Sequence, residues 1–216
     1  MDGVAYQINN SLYLNLTNRC TNQCEFCIRY KTRELNQKYP LWLDQEPTVE
    51  EIITAVGDPS KYEQIVFCGY GEPLLRLEEV KAIAAEVKSL PAGRQGKFPI
   101  PNSKQGVIIR IDTNGLANLY WGRNILPELK GLVDIISISL NAENTDLYER
   151  ICSPLLGPKS YAAVIDFIKA AKDYIPEVEA TVVDLPIINI EKCRKIAEEI
   201  GVKFRVRPYY EVNYVR

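Results

Sequence analysis

The chain has 216 residues, 46% of them hydrophobic and 25% charged, with a formal net charge of −2 and no histidine. That size and balance fit one domain with a substantial core, and they exclude a general nucleic-acid or membrane-surface binder built on excess positive charge. The missing histidine excludes Ser-His-Asp and Cys-His hydrolysis and removes the commonest nitrogen ligand for a metal. The opening MDGVAYQINN lacks a basic segment followed by a long apolar run, and no stretch approaches the about 20 apolar residues of a membrane span. A cytoplasmic protein with reduced thiols and no membrane partner is therefore expected.

In chain order, SLYLNLT (11–17) alternates Leu12, Leu14 and Leu16 with other residues and predicts a strand running straight into a cysteine cluster. Residues 28–47 are polar and aperiodic and predict a long loop. Thr48 and Glu51 form a capping-box pattern that opens a helix carrying Ile52, Ile53 and Val56. A short strand is expected over 64–69, followed by a glycine-rich YGEP turn and a helix over 76–89. Residues 91–106 read as a mobile surface insertion. Strands are expected over 107–113, 134–141, 178–184 and 202–207. Helices are expected over 123–130, 144–152, 160–173 and 189–200.

Six strands separated by helices predict parallel pairing with helices outside. The expected fold is α/β: a single partial (βα)6 barrel, related to the eight-fold barrel, over residues 1–216. Within its strands, Arg110 and Asp112 share one face, as do Ser137, Ser139 and Asn141, and Lys203, Arg205 and Arg207. A polar face turned inward implies a cavity for a polar ligand. The competing reading, strongest for the last strand, places these faces at an edge or in solvent.

The chemistry concentrates in RCTNQCEFC, where Cys20, Cys24 and Cys27 stand at C-x3-C-x2-C spacing within the loop 18–30. Closely spaced thiolates bind zinc or iron–sulfur clusters. Structural zinc requires a fourth ligand, for which Cys68 at the end of the second strand is the candidate. Cys152 and Cys193 read as packing residues. A zinc-stabilised binding module is thus one reading. The other is a [4Fe-4S] cluster on three cysteines, with one iron left for a ligand that is not protein.

That loop, placed after a first strand, resembles the radical S-adenosylmethionine (radical SAM) superfamily. Gly71-Glu72-Pro73 resembles the family's glycine-glycine-glutamate motif, with Tyr70 standing where its first glycine would be. Asp112-Thr113-Asn114-Gly115 is similar to the DTNG of activating enzymes for glycyl radical proteins. NSLYLNLTNRCTNQCEFC, VFCGYGEP, SISLNAEN and KCRKIAEEIGVKFRVR together resemble small members called TatD-associated. The resemblance implies that Cys20, Cys24 and Cys27 hold the cluster. It implies that Gly69 and Gly71 let the backbone approach a small ligand, and that Glu72, beside Pro73, binds the methionine amino group. Asp112, Thr113 and Asn114 would touch the cofactor or a monovalent cation. Ser139 and Asn141 would touch its ribose and carboxylate, and Arg207 a carboxylate. Phe26 would pack near the adenine or merely anchor the loop.

The implied reaction is reductive cleavage of S-adenosylmethionine to methionine and a 5′-deoxyadenosyl radical, which abstracts hydrogen from an unidentified substrate, in the manner of an activase or on a small molecule. A flavodoxin- or ferredoxin-type electron donor and oxygen sensitivity follow. The open side of a short barrel favours a macromolecular substrate, a protein before a nucleic acid given the net negative charge. Tyr209, Tyr210 and Tyr214 would contact that substrate or close the barrel's edge.

Overall fold

A computed structural model describes residues 3–35, 38–89 and 107–209. The expected insertion 91–106, and Tyr210 and Tyr214, lie outside these residues. In chain order the strands are β1 (Ala5–Ile8), β2 (Ser11–Leu14), β3 (Glu34–Leu35), β4 (Tyr39–Pro40), β5 (Gln64–Phe67), β6 (Ile108–Thr113), β7 (Ile135–Ser139), β8 (Glu177–Val183) and β9 (Lys203–Arg207). The helices are α1 (Val49–Val56), α2 (Leu77–Ser89), α3 (Ala117–Trp121), α4 (Leu126–Leu129), α5 (Thr145–Cys152), α6 (Ser160–Ala171) and α7 (Ile190–Ile200).

The main sheet has the order β1-β2-β5-β6-β7-β8-β9, with β2 to β9 all parallel. Its edges stay open, so the six parallel strands form the expected partial barrel. The seventh strand was not expected. β1 pairs antiparallel with β2 across the Asn9-Asn10 turn, where Asn9 takes the left-handed conformation at φ 52°. Asparagine tolerates that conformation better than most residues, which suits a two-residue hairpin.

Alternation in the strands sorts the two faces. Ile65, Phe67, Ile109, Ile111, Ile136, Ile138, Ala180 and Val182 point outward into one continuous core with Ile52, Val80, Ile83, Val164, Ile168 and Ala197 of the helices. The capping box forms as expected: Thr48 Oγ1 accepts from Glu51 N at 3.2 Å, and Glu51 Oε2 accepts from Thr48 N at 2.7 Å. Cys152 and Cys193 are buried packing residues. Two expectations need correction. Residues 28–47 are not one loop, since they hold a 3-10 turn at Ile28–Tyr30 and the β3–β4 hairpin. Residues 123–130 yield only the single turn of α4, because Pro127 sits in its first turn and Lys130 leaves helical geometry. A separate turn, α3, precedes it and ends at Gly122 in the left-handed region.

Asn15, just past β2, ties three segments together. Its fully buried Nδ2 donates to Gly3 O at 3.0 Å and Leu41 O at 2.7 Å, while Oδ1 accepts from Tyr70 N at 3.3 Å. Asn15→Ala would leave these buried groups without partners and should cost about 3 kcal/mol. Urea unfolding would show this as a lowered midpoint at an unchanged slope.

Candidate active site

The site stands at the C-terminal ends of the parallel strands. The cysteine loop leaves β2 and crosses to the end of α5. The last carbonyls of a helix lack intrahelical partners. Here the Ile151 and Cys152 carbonyls accept from Glu25 N and Gln23 N, both at 3.0 Å. Leu155 N returns a bond to Thr21 O at 2.8 Å, and buried Asn22 Nδ2 donates to Tyr148 Oη at 3.0 Å. Arg29 closes the loop on itself, donating to Asn18 O and Asn22 O at 2.9 Å each. Phe26 is half-buried against the main core, which supports its anchoring role.

Cys20, Cys24 and Cys27 are free thiols. Cys20 Sγ accepts from Asn22 N and Asn114 Nδ2, both at 3.5 Å. Burial pushes the Cys20 thiol up to about 11 and raises Cys27 too; the hydrogen bond to Cys152, with burial, drives Cys24 well above the usual thiol range.

The GYGEP turn packs directly on the root of this loop. A Cβ at Gly71 would sit 2.3 Å from Thr17 O and 2.4 Å from Arg19 O; one at Gly69 would sit 2.0 Å from Asn15 Oδ1. Both glycines therefore make a close approach to the chain itself. It sets Glu72 N 2.8 Å from Arg19 O. Glu72 then caps a 3-10 turn beginning at Pro73, a residue suited to a first turn because it lacks an N–H.

The Glu72 carboxylate is 3% exposed. Its Oε1 accepts from Leu74 N at 3.0 Å and Thr113 Oγ1 at 2.8 Å, and its Oε2 from Asn114 N at 2.7 Å. Asn114 Nδ2 in turn donates to Thr21 Oγ1 at 2.8 Å, as well as to Cys20 Sγ. One carboxylate thus joins the ends of β5 and β6 to the cysteine loop. A carboxylate offers about four acceptor positions. Three of these are filled by the chain, two on Oε1 and one on Oε2.

The opposite rim is built by β7, β8 and β9. Arg207 Nη2 donates to Ser139 Oγ and Asn141 Oδ1, both at 3.1 Å, while its buried Nε has no partner among the described residues. Burial depresses this guanidinium, partly offset by the charge of Asp112. Asn141 holds φ 59° and also donates to Cys152 Sγ at 3.7 Å. Beneath the rim, Asp112 pairs with Arg110 at 2.6 Å, and Glu179 pairs with Arg205 at 2.8 Å and Arg110 at 3.7 Å. Ser137 Oγ joins Glu179 at 3.2 Å. The polar faces of β6 and β7 therefore turn inward; on β9 Arg205 and Arg207 do so, whereas Lys203 is exposed and pairs with Glu177 at 2.7 Å. Glu179 and Arg110 bind this floor together, and their roles were invisible in sequence. Asp112 and Thr113, held by Arg110 and Glu72, act within the wall of the site. Cys68 follows β5, and burial, with the charge of Asp112, pushes its thiol well above the usual range. Tyr70, in place of the motif's first glycine, buries a hydroxyl that has no partner among the described residues.

Cys20, Cys24 and Cys27 are free thiols of one loop, the donor type that soft metals take, although among the described residues no group of three or more Cys, Asp or Glu side chains is placed to hold a metal ion. Glu72 brings a buried carboxylate, and Arg207 a guanidinium whose Nε has no partner among the described residues. Together the last two match the charge pattern of an amino-acid moiety.

A family model described as the Radical SAM superfamily matches residues 14–200. The chain is 26% identical over 204 residues to the uncharacterized protein MJ0804 of Methanocaldococcus jannaschii, covering 93% of this chain and 57% of that one. The chain therefore spans little more than half of that relative. The fold is similar to SuiB of Streptococcus suis (TM-score 0.61, 14% identity, 90% of this chain and 38% of SuiB). It is also similar to methylornithine synthase PylB (TM-score 0.57, 15% identity, 93% of this chain and 53% of PylB).

Burial pushes the Glu72 carboxyl up to about 7, against the opposing bonds from Asn114, Thr113 and Leu74. The folded state then holds this proton more tightly than the unfolded state. Stability should fall as pH rises from about 4.5, the ordinary glutamate value, through about 7. Thermal unfolding between pH 5 and 8 should show that slope, and Glu72→Gln should remove it.

Proposed function

The chain belongs to the radical SAM superfamily, and on that premise we propose that it reductively cleaves S-adenosylmethionine at a [4Fe-4S] cluster in order to take a hydrogen atom from a substrate. We place it with the TatD-associated members of the family. The observation that carries the reading is the link from the buried Glu72 carboxylate through Asn114 to Cys20 and Thr21 of the three-cysteine loop, with Arg207 across the strand ends on the opposite rim.

Cys20, Cys24 and Cys27 would hold the cluster, leaving one iron for the cofactor's amino-acid end. When bound, these groups supply an electron and a 5′-deoxyadenosyl radical. The rest falls to this chain's own side chains. Glu72 orients the ammonium by a charge-assisted hydrogen bond, while Thr113 and Asn114 fix its carboxylate. Arg207, aligned by Ser139 and Asn141, receives the carboxylate. The ion-paired floor of Arg110, Asp112, Glu179 and Arg205 gives the substrate side of the barrel a polar, internally compensated surface. Among the described residues, no helix is long and apolar enough to cross a membrane. Activity is expected to be oxygen-sensitive and confined to the cytoplasm.

Anaerobically reconstituted protein treated with dithionite and S-adenosylmethionine should form 5′-deoxyadenosine and methionine. Arg207→Met should weaken S-adenosylmethionine binding about tenfold, the loss expected for one charge-assisted bond of about 1.5 kcal/mol. Unchanged affinity would assign the carboxylate to another group, and no cleavage products would contradict the reaction.

A further inference from the structure

The chain leaving α5 runs beside the cysteine loop in a short antiparallel pairing. Asn22 bridges Pro154 in that sense. Gln23 N, which also reaches Cys152 O, donates to Ser153 O at 3.2 Å, and Glu25 N donates to Ile151 O at 3.0 Å. These contacts share one register, and the pair left between them is Cys24 opposite Cys152. The flanking pairs carry the hydrogen bonds, so the two cysteines take the alternate position, where opposed side chains lie closest. In a regular ladder such residues stand about 4.5 Å apart at Cα, within the about 4.4–6.8 Å that a disulfide spans. Here one side of the pairing is the last turn of a helix, and Ser153 at φ 42° turns the chain out of it.

The side chains agree with that register. Cys152 is the largest influence on the raised Cys24 thiol. Cys152 Sγ is fully buried and accepts from Asn141 Nδ2 at 3.7 Å, so it faces the strand ends where the cysteine loop lies. Cys24 is the half-buried member, and both are free thiols. Packing explains why Cys152 is buried. It does not explain a second thiol set opposite it.

We propose that Cys24 and Cys152 are a disulfide-forming pair, which under oxidising conditions withdraws Cys24 from the loop's metal-binding thiols and under reducing conditions returns it. The effect on the cluster rests on the reading above; the disulfide itself does not. The oxidant is a small disulfide such as glutathione disulfide. The Cys24 thiolate, the member nearer solvent, attacks one of its sulfurs and releases a glutathione thiolate. Cys152 then gives up its proton and displaces the second glutathione from Cys24. One S–S bond breaks and one forms. The protein dithiol loses two electrons and two protons, and glutathione disulfide becomes two glutathione thiols. The raised Cys24 thiol makes the exchange slow, so equilibrium is the readout.

The test equilibrates the 216-residue chain, free of metal and oxygen, with glutathione disulfide. Remaining thiols are alkylated, and tryptic peptides are mapped by mass spectrometry without reduction. Peptide 20–29 should be joined to peptide 151–159, with fragmentation assigning the bond to Cys24. The joined peptide should be lost in Cys152→Ala. Iron uptake by the oxidised wild type should be lost and should return with dithiothreitol. Bonds confined to Cys20, Cys24 and Cys27, or both peptides free, would overturn the proposal, as would iron uptake indifferent to the bond. A fully reduced wild-type chain that assembles no cluster would overturn the cluster reading instead, and would leave the joined peptides standing.

Discussion

The buried Glu72 carboxylate is the interaction on which the site depends. It is held where water cannot compensate it, so each of its hydrogen bonds must come from the chain. Those bonds arrive from Leu74, Thr113 and Asn114, drawing the ends of β5 and β6 together. Asn114 passes the constraint to Thr21 and Cys20. Gly71 supplies the other half of the fit, since any side chain there would collide with the carbonyls of Thr17 and Arg19. The cysteine loop thus takes its position from outside, while Arg29 closes it from within. It is fixed between this carboxylate and the C-terminal carbonyls of α5.

Charge inside the barrel follows the same logic. Asp112 and Glu179 are answered by Arg110 and Arg205. Arg207 is left over, with its Nε unpartnered among the described residues and Asn141 held in the left-handed region beside it. An unpaired buried cation is costly, and strained backbone persists only where surrounding structure enforces it. Both costs fall on the rim where an anionic group would bind. A ligand carboxylate would offset the first.

Most of this architecture was legible in the chain because periodicity reports burial directly. All six parallel strands, the capping box at Thr48 and the inward polar faces follow from alternation and spacing. What escaped was set by tertiary partners. β1 has too little alternation to stand out, and exists because β2 offers it an edge. The hairpin within 28–47 is two residues per strand, below any periodic signal. Glycines 69 and 71 were recognisable as special, but sequence cannot say whether a close approach is to ligand or to backbone. Glu179 looked like an ordinary strand carboxylate until two arginines converged on it. The three cysteines stood out on spacing alone. The clamp that Arg29 places on them did not, because its acceptors are main-chain carbonyls of residues 18 and 22.

The central claim is that three cysteines hold a cluster with one iron open to S-adenosylmethionine. Electron paramagnetic resonance of the anaerobically reconstituted, reduced protein tests this most directly. The account predicts a [4Fe-4S]+ signal that changes shape when S-adenosylmethionine is added and is lost in Cys24→Ala. A zinc-loaded, colourless protein, or a cluster signal indifferent to S-adenosylmethionine, would contradict it.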